Sequence, residues 1–348
     1  MIYFLICLIF IVFAYLEAIE LNKVSAAIYG ILISVIMIAF VTLRDKVGTD
    51  WLAYFNAYYD ANKNIHWEVE PGYSFFNDFF SKNSWHFNVF VLFLNTVSLS
   101  LYYSSLKRNV GLIVIALLIF YSDYFLYYNF SGIRQALAIS ILVYSVRFCV
   151  SRNFYGFVLA LLAAMSFHVT AIVFFIAYFI PFRKITRKEG FVALSFFFTV
   201  SFLIFAIVEL LSPDLAYKAK FYLELQENAP DLKSLFVVGV FKRLLIIGIV
   251  WLFGKNIWQY DKAYFFFNTY LFGFGLYVST YLLSPDIGVR LSSYFIIFEI
   301  FLAGYLLLAN PKLTNRLLIV SFFSMIALYK IYTYTQMYYY QYNFIFLN

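Results

Sequence analysis

The chain has 348 residues, 64% of them hydrophobic and only 12% charged, with a formal net charge of +7 and a mean hydropathy of +0.83. That balance excludes an ordinary water-soluble domain. Apolar runs of about 20 residues recur along the whole length, the pattern of an all-α polytopic membrane protein. The excess positive charge falls in short loops, where it sets topology, so it is no nucleic-acid signal.

In chain order, the apolar runs predict about ten full spans, near 2–17, 25–43, 85–106, 110–128, 133–150, 190–211, 235–254, 263–283, 290–309 and 317–335. The first lacks a basic leader and a small-residue cleavage site, so it reads as a retained helix. No stretch is polar enough for a separate soluble domain, and 1–348 reads as one integral membrane domain. Lys107 and Arg108, Arg147 and Arg152, Arg183 to Lys188, Lys255 and Lys262, and Lys312 and Arg316 fall on one face, taken as cytoplasmic. The loops near 129–132 and 284–289 carry no Lys or Arg, and both termini are placed outside.

Segment 154–180 has basic residues on both flanks, so the chain enters and leaves on one side. Its roughly 27 residues would make about 40 Å of helix. That is long for one crossing and too short for two. A short helical hairpin or re-entrant segment with its tip at Ser166-Phe167-His168-Val169 is expected. The rival is one long tilted helix. Two long segments, 44–84 and 212–234, are read as outer-face loops, where substrate contacts concentrate. The Tyr-rich tail 338–342 reads as interfacial.

Several residues carry candidate chemistry. Arg134 and Gln135 open the 133–150 span after Phe130-Ser131-Gly132-Ile133. Guanidinium donors beside the free N–H groups of a helix start suit a phosphate or pyrophosphate; snorkelling to the interface is the alternative. Lys242 and Arg243 lie about 11–12 Å along the 235–254 helix. They meet either a substrate anion or an acidic partner such as Glu209 or Glu299. Arg290 follows Ser284-Pro285-Asp286 and either pairs with Asp286 or serves the site. Arg44, Gly48, Thr49 and Asp50, with Glu70, Pro71, Gly72 and Tyr73, place an arginine, carboxylates and tight turns in one outer segment. A carboxylate there could deprotonate an attacking hydroxyl, or simply cap the loop. His168 is a base, a donor or a satisfied buried residue.

There is no Walker sequence, no Gly-rich dinucleotide turn, no zinc spacing and no Asp-x-Asp pair for a metal–nucleotide sugar. No metal or cofactor is expected. Cys7 and Cys149 lie in apolar runs without ligand spacing.

The chain resembles the EpsG family, grouped with Wzy-type polysaccharide polymerases. The resemblance rests on Arg44 with Gly48-Thr49-Asp50 and Tyr54, on Glu70-Pro71-Gly72-Tyr73, on Phe130 to Ala138, on Phe167-His168 and on Arg290, in that order over nearly the whole chain. It implies a metal-independent glycosyltransferase at the outer face of the bacterial inner membrane. Such an enzyme would polymerise undecaprenyl-pyrophosphate-linked oligosaccharide repeat units, with a flippase and a chain-length regulator as partners. The arginines, with Gln135, Tyr54, Tyr73 and Lys242, would then hold pyrophosphate or sugar. Asp50, Glu70 and His168 would be the candidates for proton transfer, unranked among themselves. A ligase using the same donor is the near alternative. A lipid-linked sugar flippase or transporter would show internal repeats, and none is visible. A polysaccharide acyltransferase would need a basic, His-bearing motif near the first helices, which is missing.

Overall fold

The computed structural model describes residues 1–347 except 64, 66–68, 194, 198, 200–231 and 282–283. Every named element among them is a helix. Seven are long and apolar enough to cross a membrane: Ile2–Glu20, Lys23–Thr42, Phe87–Asn109, Ile133–Val150, Ser234–Phe253, Pro285–Ala309 and Leu313–Thr335. The chain is a multi-pass membrane protein. The expected span 190–211 and the loop 212–234 fall mostly on residues outside those described.

The physical reason for the apolar excess shows in α1 (Ile2–Glu20). Tyr3, Cys7, Phe10, Ala14 and Ala18 are buried at helical spacing, while Leu5, Leu8, Val12 and Ile19 are exposed. Both faces are apolar because one packs and the other meets lipid. A two-residue turn leads to α2 (Lys23–Thr42): Leu21 takes a left-handed conformation (φ 46°) and Asn22 caps the new helix through Val24 N–H at 2.8 Å.

Two compact units are present, residues 1–178 with 300–348 and residues 179–299. In the first unit, segment 44–84, read from sequence as an outer-face loop, carries regular structure of its own. It forms two 12-residue helices, α3 (Trp51–Asn62) and α4 (Pro71–Lys82). Next come α5 (Phe87–Asn109) and α6 (Val114–Phe120), the latter continuing as a π-helix over Tyr121–Asn129. α7 (Ile133–Val150) matches its expected limits.

The segment after α7 is a hairpin. α8 (Phe154–Met165) is one arm and a 3₁₀ stretch over Val169–Phe179 is the other. Twelve α-helical residues rise about 18 Å, short of the roughly 30 Å apolar thickness of a bilayer. The open ends of the arms meet: Arg152 donates to the Tyr178 carbonyl at 3.1 Å, and the Tyr178 hydroxyl donates back to the Arg152 carbonyl at 2.9 Å. A single long tilted helix cannot bring residues 152 and 178 together, so the rival reading fails.

The second unit holds α9 (Leu232–Phe253), α10 (Asp261–Thr280) and α11 (Pro285–Ile296). α10 and α11 pack closely because Gly273 lies against Phe295 and Ile296, and Gly288 against the Tyr281 backbone. Ser284 caps α11, with Pro285 at its first position. α12 (Glu299–Ala309) is buried throughout Ile300–Leu307, and α13 (Leu313–Thr335) is the last α-helix, with short 3₁₀ turns after it.

One buried acid had no sequence signal beyond being alone in an apolar run. Glu17, on α1, is 1% exposed, and its carboxylate accepts N–H bonds from Ile113, Val114 and Ile115 at 2.6, 2.9 and 3.0 Å. It caps α6 from another helix, supplying acceptors that the first turn lacks. Glu17→Ala strips three buried donors at once, each worth about 1–3 kcal/mol when left unsatisfied. A thermal-unfolding measurement in detergent is expected to show a drop of more than about 2 kcal/mol, with Glu17→Gln recovering part of it.

Candidate functional site

The site forms where α4, α7 and the hairpin tip meet in the first unit. Glu70 precedes α4 with extended backbone (φ −60°, ψ 143°), and Pro71 starts the helix where a missing N–H costs nothing. The Glu70 carboxylate does not cap its own helix. One oxygen, Oε2, pairs with Arg134 Nη1 in α7. The other, Oε1, lies 3.0 Å from His168 Nδ1 and 3.3 Å from Val169 N at the hairpin tip. A three-residue bridge results, drawn from three elements widely separated in sequence.

The tip is held there by backbone as well. Gly72 N–H donates to the Ser166 carbonyl at 2.7 Å. A Cβ at Gly72 would stand 2.8 Å from that carbonyl oxygen and 3.0 Å from Ser166 Cβ, so only glycine allows the approach. Backbone outside regular helix needs its polar groups met by other means, and the start of α4 meets those of the tip. Segment 44–84 and the hairpin therefore specify each other.

Arg134 also lies against aromatic faces, its guanidinium 6.0 Å from the Tyr54 ring centre and 5.9 Å from that of Tyr73. Those two rings sit 5.7 Å apart. The Arg134 side chain keeps 28% exposure, against 14% for Glu70 and 13% for His168. Three polar atoms of the cluster are buried with no partner among the described residues: Arg134 Nε, Tyr73 OH and His168 Nε2. Burial alone would raise the Glu70 pKa. The bond from His168, its own backbone N–H and the charge of Arg134 outweigh it and hold the carboxyl down to about 2, against an ordinary 4.5. Glu70 is thus ionised at neutral pH and only accepts hydrogen bonds.

The other candidates fall elsewhere. Sequence reasoning puts Arg44 among the substrate contacts, but the structure buries it at 1% exposure. Its guanidinium donates to the Asn129 and Phe130 carbonyls at 3.1 and 2.9 Å and lies 4.5 Å from the Phe130 ring centre. Its work here is to hold the turn that launches α7. Asp50 opens α3 and accepts from the Thr49 hydroxyl at 3.0 Å. Gln135 is buried in α7.

In the second unit Lys242 pairs with Glu299 at 3.5 Å, the intramembrane partner weighed from sequence; Glu209 lies outside the described residues. Arg243 donates to the Gly239 carbonyl at 2.8 Å and stacks 3.6 Å from the Tyr277 ring centre. Arg290 pairs with Asp286 at 2.8 Å, one turn earlier on the same helix. Among the described residues, no three His, Cys, Asp or Glu lie together where they could hold a metal ion.

Two elements escaped the sequence reading. Ser131 is more than a turn former: its hydroxyl accepts Thr49 N–H at 3.0 Å and lies 3.1 Å from the Tyr340 hydroxyl. The Tyr-rich tail is more than interfacial. It runs back over the 43–48 segment, where Tyr339 and Asn343 carbonyls accept Gly48 and Asp45 N–H at 2.8 and 2.9 Å, and Ile345 N–H donates to Leu43 at 3.0 Å. Tyr342 stacks on Phe40 with ring centres 4.6 Å apart. Tail, first loop and Ser131 turn thus clamp the start of α7, which carries Arg134. A tyrosine run gives no warning of this, because backbone pairing leaves no compositional trace.

Among known proteins, the family model described as the EpsG family matches residues 27–344. No curated protein and no solved structure matches the chain.

Proposed function

The chain belongs to the EpsG family, and on that premise we propose that it polymerises undecaprenyl-pyrophosphate-linked oligosaccharide repeat units into a surface polysaccharide. Membership supports a polysaccharide-polymerase type of function in general; the carrier lipid, the reaction and its side of the membrane are this proposal's own. The observation that carries it is Arg134 at the start of a membrane helix, bound to Glu70 yet with its Nε, like the nearby Tyr73 hydroxyl, unpartnered among the described residues.

A diphosphate leaving from a sugar needs its developing charge met by fixed donors. Arg134 supplies a planar fork for this, and the Tyr73 hydroxyl and the N–H groups at the start of α7 point to the same task. Tyr54 and Tyr73 offer ring faces to the guanidinium and edges for a sugar. Arg44 serves indirectly, by fixing the turn before α7. Lys242, Arg243 and Arg290 belong to this reading only as further anion contacts in the second unit. Asp50 remains a second carboxylate for the acceptor side.

The alternation of basic and uncharged loops supports placing this cluster at the periplasmic face of the inner membrane. A single integral domain, with the two units as its parts, belongs to the same reading. A flippase delivering the units and a regulator of chain length are the partners this role calls for.

The test is reconstitution of purified protein with lipid-linked repeat units extracted from cells lacking it, with products resolved on a gel. The expected result is a ladder of lengths that needs only this protein and that substrate. One transfer to an added lipid acceptor, without a ladder, would make the chain a ligase instead. No covalent product would shift it to transport.

A further inference from the structure

We propose that His168, through Nε2, is the group that takes the proton from the acceptor hydroxyl, and that Glu70 is its positioning residue rather than a base in its own right. This rests on the transfer reaction proposed above and divides labour among residues that the sequence leaves unranked.

The argument is one of tautomers. Oε1 of Glu70 lies 3.0 Å from His168 Nδ1. An ionised carboxylate cannot donate, so Nδ1 carries the hydrogen. In the neutral ring Nε2 is then the atom with the free lone pair. Nε2 is also the ring nitrogen that has no partner among the described residues. The same carboxylate accepts Val169 N–H at 3.3 Å, and Gly72 N–H ties the tip at Ser166, so the ring is fixed from both sides.

Glu70 itself is a poor base. Both its oxygens are already occupied, by Arg134 on one side and by His168 and Val169 on the other. Its low proton affinity, a pKa of about 2, points the same way. It can instead steady the imidazolium once His168 is protonated, as the buried carboxylate does in a Ser-His-Asp triad.

The step balances as follows. The acceptor sugar's hydroxyl oxygen forms a bond to the donor's anomeric carbon as its proton passes to His168 Nε2. The bond from that carbon to the diphosphate oxygen breaks, and its electron pair leaves with the diphosphate, held by Arg134. The imidazolium, paired with Glu70, later returns its proton to solvent. Because Arg134 and His168 share one carboxylate, leaving-group binding and base orientation are set by a single side chain.

His168→Asn tests this, since the asparagine amide nitrogen takes the place of Nδ1 and keeps a donor toward Glu70 while removing the Nε2 lone pair. Turnover is measured with extracted lipid-linked repeat units and binding with undecaprenyl pyrophosphate. The expected result is a loss of turnover of about 100-fold or more, binding within about twofold of the parent, and an unchanged melting temperature. His168→Gly should recover turnover when free imidazole is added. Turnover within about threefold of the parent, or a loss matched by an equal loss of binding, overturns the assignment. Should His168→Asn fail to fold, the glycine variant decides, and absence of imidazole rescue in a folded glycine variant counts against the proposal. A parent protein that forms no polymer overturns the function reading, whereas a parent ladder with an indifferent His168 variant overturns this inference alone.

Discussion

Arg134→Ala is expected to abolish polymer while the protein still inserts and folds. Arg134 is the cation of the Glu70 bridge, and its Nε has no partner among the described residues. Arginines that meet the charge of a transferring phosphoryl group are worth roughly 10³–10⁵ in rate, and a loss at the lower end of that range would remove any visible ladder. The fold should survive, because Glu70 keeps its bonds to His168 and Val169 and Gly72 keeps the hairpin tip. Arg134→Lys should also be impaired, by about tenfold or more, since an ammonium cannot serve Glu70 and an anion through one planar fork. Polymer of full length from the alanine variant in cells, at matched protein level, would take Arg134 out of the site.

The largest structural effect is expected at Gly48. Its φ of +107° lies where side chains are rarely tolerated, and a Cβ would run into the Phe130 carbonyl, with the carbonyl carbon at 3.0 Å and Ser131 Oγ at 3.2 Å. Strained backbone of this kind costs of order 1–3 kcal/mol, and the clash with fixed main chain adds to it. Phe130 cannot yield easily, because its carbonyl receives Arg44 at 2.9 Å. Gly48→Ala should therefore lower stability by about 2–4 kcal/mol. It should also disturb the Thr49–Ser131 bond and, through it, the start of α7. Thermal unfolding and polymer yield should fall together. A variant with parental melting temperature and yield would show that the loop relaxes away from the Ser131 turn at no cost.

How far the molecule could be read from its sequence depends on the kind of signal each part leaves. The α7 limits were legible because Ser131-Gly132 precede, and Ser151-Arg152 follow, a largely apolar run of helical length. The hairpin was legible because Arg152 and Arg183 flank a segment of the wrong length for an ordinary crossing. α3 and α4 were not: each is a 12-residue helix, well short of the roughly 20 apolar residues that mark a crossing, and polar residues interrupt both, so a reading by apolar runs passes over them.

The site divides in the same way. Arg44 and Arg134 look alike in sequence, each at the end of an apolar run with glycine nearby. They differ only in what they meet, two backbone carbonyls for one and a carboxylate for the other. Glu70 and His168 were both candidates, but their contact joins residues 98 positions apart, and no local pattern encodes that. The clamp formed by Ser131, Tyr340 and the tail is built largely from backbone groups, which every residue except proline carries in full.

The account turns on Arg134 and its neighbours holding a lipid diphosphate, and the most direct measurement is the binding of undecaprenyl pyrophosphate, without any glycan, to the purified protein. The account predicts saturable binding that Arg134→Ala weakens by about tenfold or more, in line with the worth of a charge-assisted fork, and that inorganic pyrophosphate displaces. Equal affinity in parent and Arg134→Ala protein would contradict it.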